Sequence, residues 1–221
     1  MRNVGAVIFA AGGSSRLGQP KQLLIFRGES LVLRAVRAAA AAECEPILVV
    51  VGENSEAIKL ALDIRDPRIS SFSGLERVTR TCPPPRPPSP PRPTIIENEE
   101  WRRGLGTSIR RGLEQLPNFV EAVVLLTCDQ PYLDASIVSQ LIAARIETGK
   151  PIVASSYADT LGVPALFDRS CFDDLLALPD DSGAKSLIVA RPDEVAVVAF
   201  EKGAVDIDTH SDFQRLIAES E

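Results

Sequence analysis

The chain predicts a three-layer αβα sandwich built on a mostly parallel sheet, and three observations predict it. Apolar runs within Gly5 to Ala11, Pro46 to Val51 and Glu121 to Thr127 are continuous, as expected for strands covered on both faces. Segments of helical period separate them, so strand and helix alternate and right-handed crossovers between parallel strands follow. With 221 residues, 45% of them hydrophobic, the chain suffices for one sizeable core and is short for two, so 1–221 is read as a single domain.

In order, the first strand ends in a Gly/Ser loop, and Ser30 to Glu43 reads as an alanine-rich helix with Arg34 and Arg37 on its wet side. Pro46 to Val51 is a β-branched strand ended by Gly52, and Ser55 caps a short helix through Leu62. From Ser70 to Pro93 periodicity is lost. Pro83 to Pro93 holds eight of the 17 prolines, so about 71–93 is expected to be a disordered, dispensable insertion.

Thr94 to Ile96 reads as a brief strand, with Thr107 or Ser108 as cap of a helix from Ile109 to Leu116. After the strand ending at Thr127 comes a helix at Ala135 to Glu147, capped by Asp134. Pro151 to Tyr157 and Gly162 to Phe167 are strands, the second with a proline at its start or at a sheet edge. A helix from Ser170 to Leu178, a last strand from Val195 to Phe200 and a helix from Ser211 to Ala218 complete the chain, Ser211 and Gln214 having capping-box spacing.

Composition excludes several functions. A net charge of −6 and a pI near 5.0 give no electrostatic reason to expect nucleic acid. A single histidine, His210, argues against histidine-based catalysis. Cys44, Cys82, Cys128 and Cys171 are too scattered for a zinc site or a disulfide framework and fit reduced thiols in the cytoplasm. Met1-Arg2 faintly imitates a signal peptide, but the apolar stretch after it is short and enters a charged loop. No run approaches the roughly 20 apolar residues of a membrane span.

The chemistry concentrates in three places. In Ala10-Ala11-Gly12-Gly13-Ser14-Ser15-Arg16-Leu17-Gly18 small residues let the backbone approach a ligand and turn N–H groups toward it. Arg16 and Lys21 follow as cations within reach of the same anion, so a di- or triphosphate is the expected ligand. Neither the P-loop nor the dinucleotide spacing is present, and an ordinary Gly/Ser turn is the alternative that the two cations disfavour. Next, Gly104 and Gly106 before Thr107 and Ser108 form a second candidate anion loop, with Ser108 either cap or ligand contact and Trp101 packing at the helix start. Finally, Asp129 follows a buried strand, where a carboxylate suits Mg²⁺ beside a phosphate; Asp134 is the better helix cap and leaves Asp129 for metal. Asp206 and Asp208, two apart on an extended chain, can face one site, or form a solvated acidic turn.

The loop from Ala10 to Gly18, continued by Pro20-Lys21-Gln22-Leu23-Leu24, resembles the signature of the nucleotidyltransferases that activate molybdopterin, most closely the molybdenum cofactor cytidylyltransferase group. Cys128-Asp129-Gln130-Pro131, Asn98 to Trp101 with the glycines and Ser108 after it, and Asp206 to Thr209 are similar to further motifs of that family. Asp180 and Lys185 depart from it, standing where relatives often have Gly and Arg.

The resemblance implies a Rossmann-like sheet of the nucleotide-diphospho-sugar transferase type. It also implies transfer of CMP from CTP to a molybdopterin-type cofactor with release of pyrophosphate, dependent on Mg²⁺ or Mn²⁺. Arg16 and Lys21 would act on the triphosphate, and Asp129 and Asp208 would hold the metal. Ala10, Ala11, Gly12, Gly13, Ser14, Ser15, Asn98, Gly106 and Ser108 would surround the nucleotide, and a molybdoenzyme or its chaperone is the implied protein partner. The alternatives are GTP as donor, another phosphorylated acceptor such as a sugar or polyol phosphate, or a non-catalytic cofactor carrier.

Overall fold

In a computed structural model, residues 3–14, 17–62, 92–207 and 209–218 are described. At the centre of the sheet lies β1 (Val4–Ala10), buried at every position. The chain continues through a hairpin of β2 (Ile25–Phe26) and β3 (Glu29–Ser30), helix α1 (Leu31–Ala41), β4 (Ile47–Val51), α2 (Ser55–Leu62) and β5 (Thr94–Glu97). Then come α3 (Leu105–Leu113), β6 (Ala122–Thr127), α4 (Ala135–Thr148), β7 (Ile152–Tyr157), β8 (Thr160–Asp168), α5 (Phe172–Leu176), α6 (Lys185–Ala190), β9 (Val195–Ala199) and α7 (His210–Ala218).

The main sheet has the order β5-β4-β1-β6-β8-β7-β9, with β8 alone antiparallel to its neighbours. Side chains of β1 alternate between its faces: Ala6 and Ile8 enter one apolar cluster with α1 and α4, Val7 and Phe9 another with α3 and α5. A third cluster of Leu17, Leu24, Phe26, Leu31, Ile207 and Leu216 joins the small hairpin to α7. Because the chain builds outward from β1 through β4 to β5 and later returns to place β6 on its other side, β1 and β6 flank a topological switch point. Ligands of open α/β sheets bind outside the carboxyl ends of such strands.

Four expectations need correction. Helix α3 starts at Leu105 behind Gly104, so Thr107 and Ser108 lie inside its first turns and cap nothing. Pro164 lies in an interior strand, tolerated because the β7–β8 register shifts between Ala154 and Ser155; the Ser155 hydroxyl donates to the Pro164 carbonyl at 2.6 Å. The segment expected as one helix from Ser170 to Leu178 splits into a 3-10 turn at Arg169–Cys171 and α5. At α7 the reciprocal cap is made by Thr209 and Asp212 instead of Ser211 and Gln214: Thr209 N–H donates to the Asp212 carboxylate at 2.9 Å, and Asp212 N–H to the Thr209 hydroxyl at 3.2 Å. Asp134 caps α4 as expected, accepting from Ser136 and Ile137 N–H at 2.9 and 3.2 Å. The proline-rich tract lies outside the described residues up to residue 91.

Candidate active site

The loop after β1 is shaped from below by Gln22, which is 1% exposed. Its Nε2 donates to the carbonyls of Ala10 at 3.0 Å and Gly12 at 2.7 Å. In a trans peptide the N–H lies opposite the carbonyl, so gripping these two oxygens turns the N–H groups of Ala11 and Gly13 away from Gln22. Among the described residues no protein group accepts from the N–H of Gly12 or Gly13. The loop then closes on itself: the Ser14 hydroxyl accepts from Lys21 N–H at 2.9 Å, and Ser14 carbonyl from Leu17 N–H at 3.0 Å. Gly13 has a second reason to be glycine, since a Cβ there would lie 2.8 Å from both the Trp101 ring and the Glu53 carboxylate.

Closure of the loop aims Lys21 at the end of β6. Its Nζ lies 2.6 Å from Asp129 Oδ2, each side chain about one-fifth exposed. Asp129 is thus not the free carboxylate the sequence suggested; a cation from the phosphate loop already compensates it. Backbone alternation explains its direction. Cys128 points inward, its thiol donating to the Phe9 carbonyl at 3.1 Å and pushed up in pKa by burial and by the charge of Asp129, so Asp129 points outward. Gln130 is buried and fastens this loop, donating to the carbonyls of Val163 at 3.1 Å and Gly203 at 3.0 Å. Ile207 N–H donates to the Asp129 carbonyl at 3.2 Å, so the 205–207 segment runs beside it. Tyr157 is close enough for the charges of Asp206 and Asp129 to add to burial in raising its pKa. Arg16, Ser15 and Asp208 lie outside the described residues.

The second glycine loop is built differently. Asn98, 2% exposed, donates to the Thr107 hydroxyl at 2.9 Å and the Ser108 hydroxyl at 3.0 Å, while accepting from Glu100 N–H at 3.0 Å. Its amide is satisfied within the protein. Gly106 N–H donates to the Asp180 carbonyl at 2.8 Å, and a Cβ on Gly106 would fall on the carbonyl oxygen of Pro179. The Gly106 N–H is thus taken by the protein, and these glycines admit the 179–181 backbone, whose Asp180 also pairs with Arg103 and Arg110. Ser108 remains at the surface of the site, held by Asn98.

Between the two loops opens a cavity of about 410 Å³. Ala11, Gly12, Lys21, Ser108 and Asp129 line it, together with Trp101, for which the residues themselves favoured packing at the helix start and the family resemblance the border of the nucleotide pocket. Ala10 ends β1 and Gly13 and Ser14 continue the same loop, whereas Asn98 and Gly106 stand behind the wall. Gly13 and Gly52 are residues whose missing Cβ makes room for the Trp101 ring.

Residues 6–195 match the model of the MobA-like NTP transferase domain. The chain belongs to that family. It is a nucleotidyltransferase, with the α/β sheet of the nucleotide-diphospho-sugar transferases. Purine catabolism protein PucB of Bacillus subtilis is 26% identical over 91% of this chain and 88% of its own. Bifunctional protein GlmU of Mycolicibacterium vanbaalenii is 29% identical over 93% of this chain, which spans 38% of GlmU's length. The crystal structure of Rv0371c from Mycobacterium tuberculosis superposes with a TM-score of 0.77 at 25% identity over 98% of each chain; a manganese complex of Rv0371c, at 22% identity and 0.72, shares the fold.

The donor set suits a hard divalent ion that keeps several waters and takes one or two protein carboxylates. Asp129 is a carboxylate that could take that role, outward-facing and at the cavity wall. Among the described residues no three His, Cys, Asp or Glu side chains converge into an all-protein metal cage. No described helix is long and apolar enough to cross a membrane.

Proposed function

We propose that the chain, acting as a single domain in the cytoplasm, transfers CMP from CTP to a molybdopterin-type cofactor. The observation that carries this reading is the Lys21–Asp129 pair at 2.6 Å where the phosphate loop meets the end of β6. It sets a cation for phosphate beside a carboxylate for metal.

In this reaction a phosphate oxygen of the acceptor attacks the α-phosphorus of CTP in line, the bond to the bridging oxygen breaks, and pyrophosphate leaves with its electron pair. The attacking oxygen is already anionic, so the protein supplies position and charge compensation and no nucleophile. The N–H groups of Gly12 and Gly13 receive phosphate oxygens, and Lys21 exchanges Asp129 for the triphosphate. Asp129, with Asp208, would hold Mg²⁺, or Mn²⁺ in its place, and Arg16 would add charge on the triphosphate. The bound metal contributes neutralisation of the phosphate oxygens.

CTP is preferred over GTP in this reading because the Ala11 methyl lines the cavity and crowds a purine, a difference worth about 1–3 kcal/mol. The molybdenum cofactor as acceptor, and delivery to a molybdoenzyme or its chaperone, rest on the family resemblance. The test is pyrophosphate release from each of the four nucleoside triphosphates, with and without molybdopterin. Release from CTP that requires molybdopterin is the expected result. Preference for GTP, or release with a sugar phosphate alone, replaces donor or acceptor. Binding of molybdopterin without any release makes the protein a carrier.

A further inference from the structure

Beyond the cavity, a second group of cations surrounds the loop that carries Asp129. Tyr132, three residues on, sets its ring edge-on to Phe26, with centroids 5.6 Å apart. Arg27 Cζ lies 5.1 Å from the Phe26 ring and 5.8 Å from the Tyr132 ring, and Lys202 Nζ lies 5.0 Å from the Tyr132 ring. Arg34 completes the group at 5.2 Å from Phe26 and donates to the Pro131 carbonyl at 3.1 Å. Arg27 and Lys202 are exposed, and among the described residues neither has a carboxylate within ion-pair distance.

This convergence runs against two ordinary preferences. In a chain of net charge −6, two like charges lie against one ring. Moreover, Arg27 holds a φ of 52° in the two-residue hairpin connection with Gly28, a left-handed position that Asn or Gly fills without strain. The strained turn is what brings the guanidinium to the rings. The Lys202 segment is also tied to the Asp129 loop, Gly203 accepting from Gln130 and Ile207 donating to the Asp129 carbonyl, and the Arg27 hairpin meets that loop through Phe26 against Tyr132.

We propose that Arg27 and Lys202, seated on Tyr132, form an anion subsite beside the Asp129 loop that receives the phosphate of the acceptor. Cation–π contact holds the two heads in place without neutralising them, leaving their N–H groups for an oxyanion. The assignment to the acceptor rests on the nucleotidyl-transfer reading above. It adds the reason two polyanions can meet there, since each then has its own cations.

The test uses inorganic phosphate, so it requires neither CTP nor molybdopterin. Titration of the full chain is followed by NMR at the Arg27 side-chain Nε–H and the Tyr132 ring, against chloride at equal ionic strength. The expected result is a saturable shift with phosphate only, absent at Tyr132 in Arg27→Asn/Lys202→Gln, where Asn also suits the left-handed turn. Equal, unsaturable shifts with phosphate and chloride overturn the subsite. In turnover assays the double variant is expected to raise the acceptor KM about tenfold or more and leave the nucleotide KM within about twofold, as loss of a charge-assisted contact implies. A rise in both overturns the assignment to the acceptor, whereas saturable phosphate binding without any transfer refutes the nucleotidyl-transfer reading and leaves the subsite standing.

Discussion

The two glycine-containing loops that face the cavity look alike in sequence and behave oppositely. After β1, Gln22 holds the carbonyls of Ala10 and Gly12, and the N–H groups of Gly12 and Gly13 have no acceptor among the described residues. Before and within α3, Gly106 N–H is bonded to Asp180, and Asn98 satisfies the hydroxyls of Thr107 and Ser108. One loop leaves its donors without a protein acceptor among the described residues. The other consumes them to make a wall, and its glycines are there because the 179–181 backbone leaves no room for a Cβ.

Substitution separates the two uses. Gly106→Ala drives a methyl onto the Pro179 carbonyl, backbone against backbone, and is expected to destabilise the fold by about 2–3 kcal/mol in urea denaturation. Gly12→Ala meets nothing nearer than Gln22 Nε2 at 4.0 Å, so its stability is expected to match the parent while its nucleotide KM rises. Equal destabilisation by both would erase the distinction between the loops.

Asn98→Ala is the next largest effect. It strips two buried hydroxyls of their donor and the Glu100 N–H of its acceptor, and is expected to cost about 2 kcal/mol with a weakened nucleotide KM through Ser108. A variant as stable as the parent would show that the wall does not depend on this amide.

The smallest effect lies far from the cavity and serves as a control. Burial raises the pKa of Asp168, but hydrogen bonds from Arg145 and the Ser170 N–H outweigh it, and the net shift is downward. A carboxyl lowered on folding adds stability that is present above its unfolded value and lost as pH falls through the folded one. Asp168→Asn is accordingly expected to lose about 1 kcal/mol at pH 7 and to approach the parent progressively as pH falls from about 4 through the lower folded value, without change in nucleotide KM. A constant deficit at both pH values would contradict the assignment.

Much of this was legible in the residues. Continuous apolar runs gave the central parallel strands, and alternation with helices gave the layers, because burial on both faces leaves that pattern. Asp134 was recognisable as a cap from its place before α4. Partners distant in sequence were not legible. Gly106 looks like a donor loop until Pro179 is brought against it, Asp129 looks unpaired until Lys21 arrives from 108 residues away, and Pro164 looks like an edge residue until the β7–β8 register shift is seen. Thr209 and Asp212 competed with Ser211 and Gln214 at equal spacing, and sequence alone does not rank two such boxes.

Asp129, paired with Lys21, is the residue proposed to carry the metal in phosphoryl transfer. The direct measurement is kcat of Asp129→Asn for pyrophosphate release from CTP with molybdopterin, at saturating Mg²⁺ and both substrates. Its partly exposed ion pair adds at most about 1 kcal/mol to stability, so the folding midpoint is expected to stay near that of the parent. With the fold intact, kcat is expected to fall by about 100-fold or more, the scale of losing one preorganised electrostatic contact to the transition state. Turnover within twofold of the parent would contradict the account.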